Sequence, residues 1–553
     1  MSTYYTSLKH NHNNCGQNRK GLGHALSNSL QLFDFVYNGL RRTYVDAGGN
    51  IETLEVQEPP DINFNELFLD VSFLMRGNLI NKVNPDEFPS WDTANELFKN
   101  ALDIVGIDNQ VMKIKSTYNF MKETYDNDCI VSLENIETRL EVIRLFLLFA
   151  IGRLHGGDVV SDQYPGLSYF RLVFSLLQDY YGAPTLAYVE CLHLVTIYLI
   201  GLNKLDFAYM YSGNAVRVAS LLRLNMITTY EDNHSQIEKE RMKRLWWSVT
   251  NVDFFAASCL GTPALLPIEV VPDIDLPEDG KYGGELPTSF FLKEKIVLTK
   301  LKQKILTCAS INSRNGLVAN IDDILESLCE RSRSITSETS KMLHFDDKKL
   351  FWRLLFALVF RLNECIILVT IQSFLRNIQP QTTRTISDKN STNSPTSSNS
   401  LDFKLSNMCL AAAISNIRVY KLLSSRGDVS FFGFIDSNFL FLSAIVLMLT
   451  EYLDDNLKSR NTSLLLNDCT TIFRDLTNSG SVTANDHLIR LQKLRILLLQ
   501  LNYTLEHPTT GKESIITVGA RKDVCDDFDN SAFDYQSFEH FKLIENIALE
   551  KLR

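Results

Sequence analysis

Trp246, Trp247, Asp253 and Phe254 form one short stretch of the sequence in which indole faces stand beside a carboxylate, a composition suited to holding a small polar ligand. The same residues suit core and helix-strap packing equally well. Arg241 and Arg244 come just before them, and Glu240 sits four residues ahead of Arg244, the favourable order for a helical charge pair. Catalytic chemistry finds little support elsewhere. The 10 histidines supply no His-Glu-x2-His motif and no metal-like pair, and His193, between Leu192 and Leu194, reads as a satisfied core or seam residue. Gly21-Leu22-Gly23 lacks the third glycine and the preceding strand of a dinucleotide loop. Thr510-Gly511-Lys512-Glu513 lacks the hydroxyl residue and upstream glycine of a phosphate loop. Gly-x-Ser-x-Gly is absent, and no acid/base carboxylate pair stands out, so the chain reads as a non-enzyme without a cofactor.

Two successive elements must position these residues. Leu245, Val249, Val252 and Ala256 recur at three- and four-residue steps and predict a helix. Trp246 and Trp247 then point about 100° apart, so one enters the core while the other covers a seam or lines a groove. Gly261, Pro263, Pro267, Pro272 and Pro277 forbid a helix in the segment that follows. Because it still carries Leu265, Leu266, Ile268, Val270, Val271, Ile274 and Leu276, it predicts an extended strap over an apolar surface.

The ordered string Glu240-x3-Arg244-Leu245-Trp246-Trp247, then Asp253, then Ser258-x2-Gly261-x-Pro263, closing on Asp275-Leu276-Pro277, resembles the regulatory (middle homology) domain of fungal binuclear zinc-cluster transcription factors. Pro184-Thr185, opening a helix through Leu199, and the run Asp206, Ala208, Gly213, Ala215, Val216, Ala219, Leu222 and Leu224 resemble the paired helices that precede it there. The resemblance implies a nuclear transcription regulator whose helical domain senses a metabolite or a partner protein. It also implies DNA contact through a zinc cluster of closely spaced cysteines, which this chain lacks; zinc is expected only if such a cluster lies upstream. The net charge of -10 fits that lack, since a duplex-binding face concentrates Lys and Arg. The short basic spots, Lys239 to Arg244 among them, read as solvated faces.

The 553 residues can bury one large core or two moderate ones. The 10 cysteines are scattered without a Cys-x2-Cys pair, which argues for reduced, mostly buried thiols. The N-terminus has no secretory hydrophobic region, and Phe439–Leu449, taken as the longest apolar run, is about half of what a bilayer needs. The expected fold is all-α, a multi-helix bundle of antiparallel αα-hairpins with the strap and disordered insertions. Residues 1–60 read as a mobile lead with one helix near Leu30 to Leu40. Residues 61–376 form the regulatory domain, with its core at 133–277. Ser90 caps a helix in this part, and Gly152 permits a close helix approach.

Residues 377–401 are rich in Ser, Thr and Asn and read as a disordered insertion. Residues 402–507 form the C-terminal helical part of the same domain. There Asp486 is expected to cap a helix carrying Leu491, Leu494, Leu498, Leu501 and Leu505, either a bundle helix or a dimerising seam. Residues 508–553 are a tail in which Asp526, Asp527, Asp529 and Asp534 alternate with Phe528, Phe533, Tyr535 and Phe538. That composition suits an activation segment folding on a coactivator or the transcription machinery, or aromatics packing back on the domain. The alternative reading of the whole chain is an all-α interaction scaffold unrelated to transcription.

Overall fold

The computed structural model describes residues 29–46, 49, 82–155, 164–178, 184–226, 234–266, 274–282, 284–311, 316–341, 348–378, 398–425, 434–453 and 460–506. Among these, fifteen α-helices and no strand occur, with one isolated bridge between Lys82 and Ser132, so the fold is all-α. The helices are α1 Ser29–Asp46, α2 Trp91–Ala101, α3 Ile114–Asp126, α4 Ile136–His155, α5 Leu167–Gln178, α6 Leu186–Gly201, α7 Leu205–Leu221 and α8 Gln236–Leu260. They continue with α9 Phe290–Ile311, α10 Gly316–Lys341, α11 Lys348–Ile378, α12 Ser398–Ser425, α13 Phe434–Leu453, α14 Arg460–Asn478 and α15 Val482–Glu506. Residues 379–397 and the tail after Glu506 lie outside the described residues.

Chain neighbours pack on one another, as short connections require: α4 on α5, α6 on α7, α11 on α12, and α14 on α15. The start of α2 follows the cap rule, since Ser90 accepts from the Thr93 amide at 3.3 Å. Thr185 does the same for Tyr188 at 3.1 Å at the start of α6. At the close approach of α2 and α4, a Cβ on Gly152 would stand 2.0 Å from the Leu97 carbonyl oxygen, which only glycine tolerates. Asp486 does not cap: α15 begins at Val482, Ser481 accepts from the Ala484 amide, and Asp486 sits inside the helix taking a bond from Arg490. The leucines Leu491, Leu494 and Leu498 are buried in this chain's own core.

Among the described residues two large hydrophobic cores result, beside a small cluster of Tyr44, Leu497 and Leu501, and α9 serves both large ones. Its Leu292 and Ile296 enter the core built from residues 83–276. Its Phe291, Leu298 and Ile305 enter the core that 321–498 share with α1. The N-terminal helix thus packs against α13 and α15, and the Ser29 hydroxyl donates to the Asn438 side chain across the length of the sequence. The longest apolar helix is not the one around Phe439. Phe351–Leu375 is long and apolar enough to cross a membrane by length and composition, but 89% of its most apolar window is buried, as in a core helix.

Candidate functional site

The site forms where α8 meets the strap, the end of the π-helix Leu102–Asn109 that follows α2, and the start of α9. Ser235 caps α8 by accepting from the Glu238 amide, and Gly261 ends it in a left-handed turn, φ +67°, with the Thr262 amide bonded back to Ala257. A Cβ on Gly261 would also lie 1.6 Å from Nε2 of Gln31 on α1, so space and conformation both select glycine.

Arg244 is wholly buried and spends its donors on three separate segments. Nε donates to Glu240 at 2.7 Å, and one terminal nitrogen to the Gln110 side chain at 2.8 Å and the Pro287 carbonyl at 2.6 Å. The other donates to the Glu278 carbonyl at 2.8 Å, while Glu240 takes the Glu278 amide at 2.8 Å. The Tyr282 ring stacks on the guanidinium at 5.7 Å. Arginine alone has a planar fork of five donors able to tie three backbone or amide oxygens and a carboxylate at once.

The two indoles divide the labour. Trp246 is fully buried, and its Nε1 has no hydrogen-bond partner, so it acts as a volume filler in the core. Trp247 covers the seam. It is only 3% exposed, its Nε1 donates to the Asp275 carbonyl of the strap at 3.1 Å, and Lys300 of α9 lies over its ring at 4.6 Å. Asp253 uses both oxygens: one accepts from the Ser212 hydroxyl at 2.8 Å and the other from the Leu265 amide at 2.9 Å, pinning the front of the strap to α7. Burial raises its pKa, opposed by those two bonds. Phe254 is half-buried. Pro263 is exposed, and its carbonyl accepts from Tyr209 at 2.9 Å. The described parts of the strap, 262–266 and 274–282, are non-helical, as the prolines require.

The basic stretch at the start of α8 is not a solvated face. Arg241 donates twice to the buried Glu190 of α6, at 3.0 and 2.6 Å, and Arg144 of α4 pairs with the other Glu190 oxygen at 3.0 Å. Two arginines from different helices thus converge on one carboxylate that has no access to water. Neither Glu190 nor Gln110 was singled out by sequence reading. The signal for Glu190 was present as a lone acid inside the apolar run of α6, since a charge in such a run requires a partner. Gln110 gave no such signal, because its role depends on a left-handed residue, φ +52°, closing a π-helix at Leu102–Asn109.

A second ion pair joins a buried lysine of α9 to a partly exposed aspartate of the π-helix. Lys295 donates to Asp108 at 2.8 Å and to Asn109 at 3.0 Å, and the Asn109 carbonyl accepts from Ser248 of α8. Burial works against the charge on Asp108, but Lys295, with Arg361 and Arg353, holds its pKa below the usual range. His193 is buried nearby, but Nε2 has no hydrogen-bond partner, so it is not the satisfied residue expected. Burial, together with the Lys295 charge, lowers its pKa to about 3. Of the cysteines described, six are buried and Cys129 is half-buried, all as free thiols. Burial pushes the thiols of Cys191, Cys259, Cys365 and Cys409 up to about 12, so they are inert rather than nucleophilic.

Of the candidate residues, Arg244, Trp247 and Asp253 act as a clamp that fastens the strap to α8, while Gly261 ends that helix, Arg241 ties it to α6 and Trp246 fills the core. The polar atoms of Arg244, Trp247 and Asp253 meet backbone groups and the side chains of Glu240, Gln110 and Ser212. The tail residues Asp526, Asp527, Phe528, Phe533, Tyr535 and Phe538 lie outside the described residues.

With the geometry in place, comparison with known proteins is informative. Residues 161–354, which hold α8, the strap and the Glu190 pair, match the family described as the fungal specific transcription factor domain. An uncharacterized transcriptional regulatory protein of Schizosaccharomyces pombe is 22% identical over 354 residues, covering 61% of this chain and 42% of the relative. The chain thus spans less than half the length of that relative. Residues 161–354 of this all-α chain are a fungal specific transcription factor domain, and the clamp lies inside it.

Proposed function

We propose that this chain regulates RNA polymerase II transcription from the nucleus, its helical body setting how a DNA-reading module and the acidic tail are presented. The observation that carries the reading is the position of the clamp within the matched domain. A single arginine there holds the strap, the residue that closes the π-helix and the lead into α9 in one arrangement. A metabolite or partner protein that competed for these bonds would release the strap and change the surface it covers, which is a population shift between two packings. DNA contact is assigned to a zinc cluster outside this chain or to a partner, in accord with the net charge of -10. A regulatory reading is supported by the clamp's chemistry, since its carboxylates and guanidinium are already bonded to protein groups.

The test joins residues 509–553 to a heterologous DNA-binding module and measures reporter output. Output well above the module alone supports activation by the tail. No output, with the fusion present at equal level, returns the chain to an interaction scaffold.

A further inference from the structure

Five charged side chains act on one another where the two large cores meet. Lys295 of α9 pairs with Asp108 of the π-helix at 2.8 Å. From α11, Arg353 and Arg361 attract Asp108 and also Asp436, which stands in the first turn of α13. These elements are contiguous, since α9 packs on the π-helix and on α11, and α11 packs on α13. Three cations thus face two carboxylates, and one positive charge is left over. Among the described residues neither Arg353 nor Arg361 forms an ion pair, and Arg361 Nε is buried without a hydrogen-bond partner.

Two further polar groups of the cluster are orphaned. The Tyr420 hydroxyl of α12, on a residue only 1% exposed, has no partner and lies within the field of Asp436. His193 Nε2 has none either and lies within the fields of Lys295 and Asp108. Buried polar groups in folded proteins are almost all bonded, so three orphans around one cluster call for a polar guest. Asp108, Arg353, Arg361 and Asp436 keep part of their surface open, which gives a small molecule a way in. One wall of the cluster leads to the clamp. Asn109 takes a bond from Lys295 at 3.0 Å, its carbonyl accepts from Ser248 of α8, and the next residue, Gln110, accepts from Arg244 at 2.8 Å.

We propose that a small organic oxyanion, a metabolite bearing a carboxylate or a phosphate together with a hydroxyl, binds at this seam between the two cores. Its anionic group sits on the guanidinium of Arg361, with Arg353 beside it, because a planar fork of donors matches an oxyanion and these forks are unspent. The Tyr420 hydroxyl donates to the ligand, and Asp436 accepts from the ligand's own hydroxyl, which also sets a limit of one anionic group. Occupancy draws the cations away from Asp108 and so acts on Asn109 and Gln110, which carry the effect to Arg244 and the strap. That last step deepens the metabolite reading above and rests on it; the binding does not.

The test titrates the full chain by calorimetry with glycerate, with glycerol 3-phosphate and with uncharged glycerol, at one ionic strength. One of the two anions should bind and glycerol should not. Heat from glycerate assigns a carboxylate ligand, and heat from glycerol 3-phosphate assigns a phosphate. Arg361→Met should weaken binding by about tenfold or more, and Tyr420→Phe by about two- to tenfold. Tyr420→Phe should leave the melting midpoint of the empty chain unchanged, since the hydroxyl bonds to nothing in the protein. Binding of neither anion, binding of glycerol as well, or affinities unchanged in both variants overturn the proposal. On saturation, hydrogen exchange at the Glu278 amide, which bonds to Glu240 in the clamp, should change by about fivefold in the parent and not in Arg361→Met. Binding with unchanged exchange leaves the site standing and overturns its link to the clamp. A tail fusion without reporter output overturns the activation reading alone.

Discussion

Replacing Arg244 by methionine removes four donor contacts but keeps most of the volume, and the consequence can be worked out bond by bond. Glu240, 1% exposed, keeps only the Glu278 amide at 2.8 Å and the Lys243 ammonium at 3.7 Å. Stranding one member of a buried ion pair costs about 3–5 kcal/mol. The Gln110 side chain and the carbonyls of Pro287 and Glu278 also lose a donor, at about 1 kcal/mol each where water cannot replace it. Partial relaxation of the strap relieves some of this, so the expected net cost is about 4 kcal/mol. Because two of the lost bonds hold Glu278 and Pro287 directly, the strap should open locally before the helices unfold. The assay is amide hydrogen exchange read at Glu278, whose N–H bonds to Glu240. Its protection should fall by about three powers of ten, at 1.36 kcal/mol per factor of ten. The paired variant Glu240→Gln/Arg244→Met removes the stranded charge and should recover about 1–2 kcal/mol. Unchanged exchange at Glu278, or a loss under about 1 kcal/mol on Arg244→Met, would refute the clamp.

Trp246→Ala empties a fully buried indole site and should cost about 3–5 kcal/mol in denaturant unfolding; a loss below about 1 kcal/mol would show that the core does not depend on it. Gly261→Ala should destabilise by about 1–2 kcal/mol from the left-handed backbone, plus the clash with Gln31, and Gln31→Ala should relieve only the second part. A thermal melt of the double variant equal to the parent would contradict this. His487, stacked on Phe441 at 4.3 Å and lowered to about 3 by burial and the Arg490 charge, and His193, also about 3, are neutral when folded. A folded pKa below the unfolded value of about 6.5 means that stability is full above pH 6.5 and falls as pH drops toward the folded value, by about 2.7 kcal/mol per histidine at pH 4.5. Unfolding midpoints measured from pH 7 to 4.5 should show this, and His487→Phe should remove about half of the slope attributable to the pair.

Sequence by itself determined the all-α class and pointed to the family that residues 161–354 match. Periodicity located α8 because Leu245, Val249, Val252 and Ala256 recur at helical steps. Prolines dictated where helix had to stop. The ordered Trp-Trp, Asp253, Gly261 and Pro263 string identified the domain because each residue answers a local demand: a seam cover, a strap pin, a left-handed cap and a helix stop. Residues whose partners are distant in sequence were not legible in the same way. Arg241 and Arg244 read as solvated from composition, and only packing showed them meeting Glu190, Gln110, Glu278 and Pro287. The π-helix at Leu102–Asn109, the attachment of α1 to α13 and α15 and the sharing of α9 between two cores followed suit. The physical reason is the range of the forces involved. Helix periodicity and caps are settled within a few residues of the chain. The destination of a buried charge is settled by which other charge is desolvated beside it, and that is known only once the helices have packed.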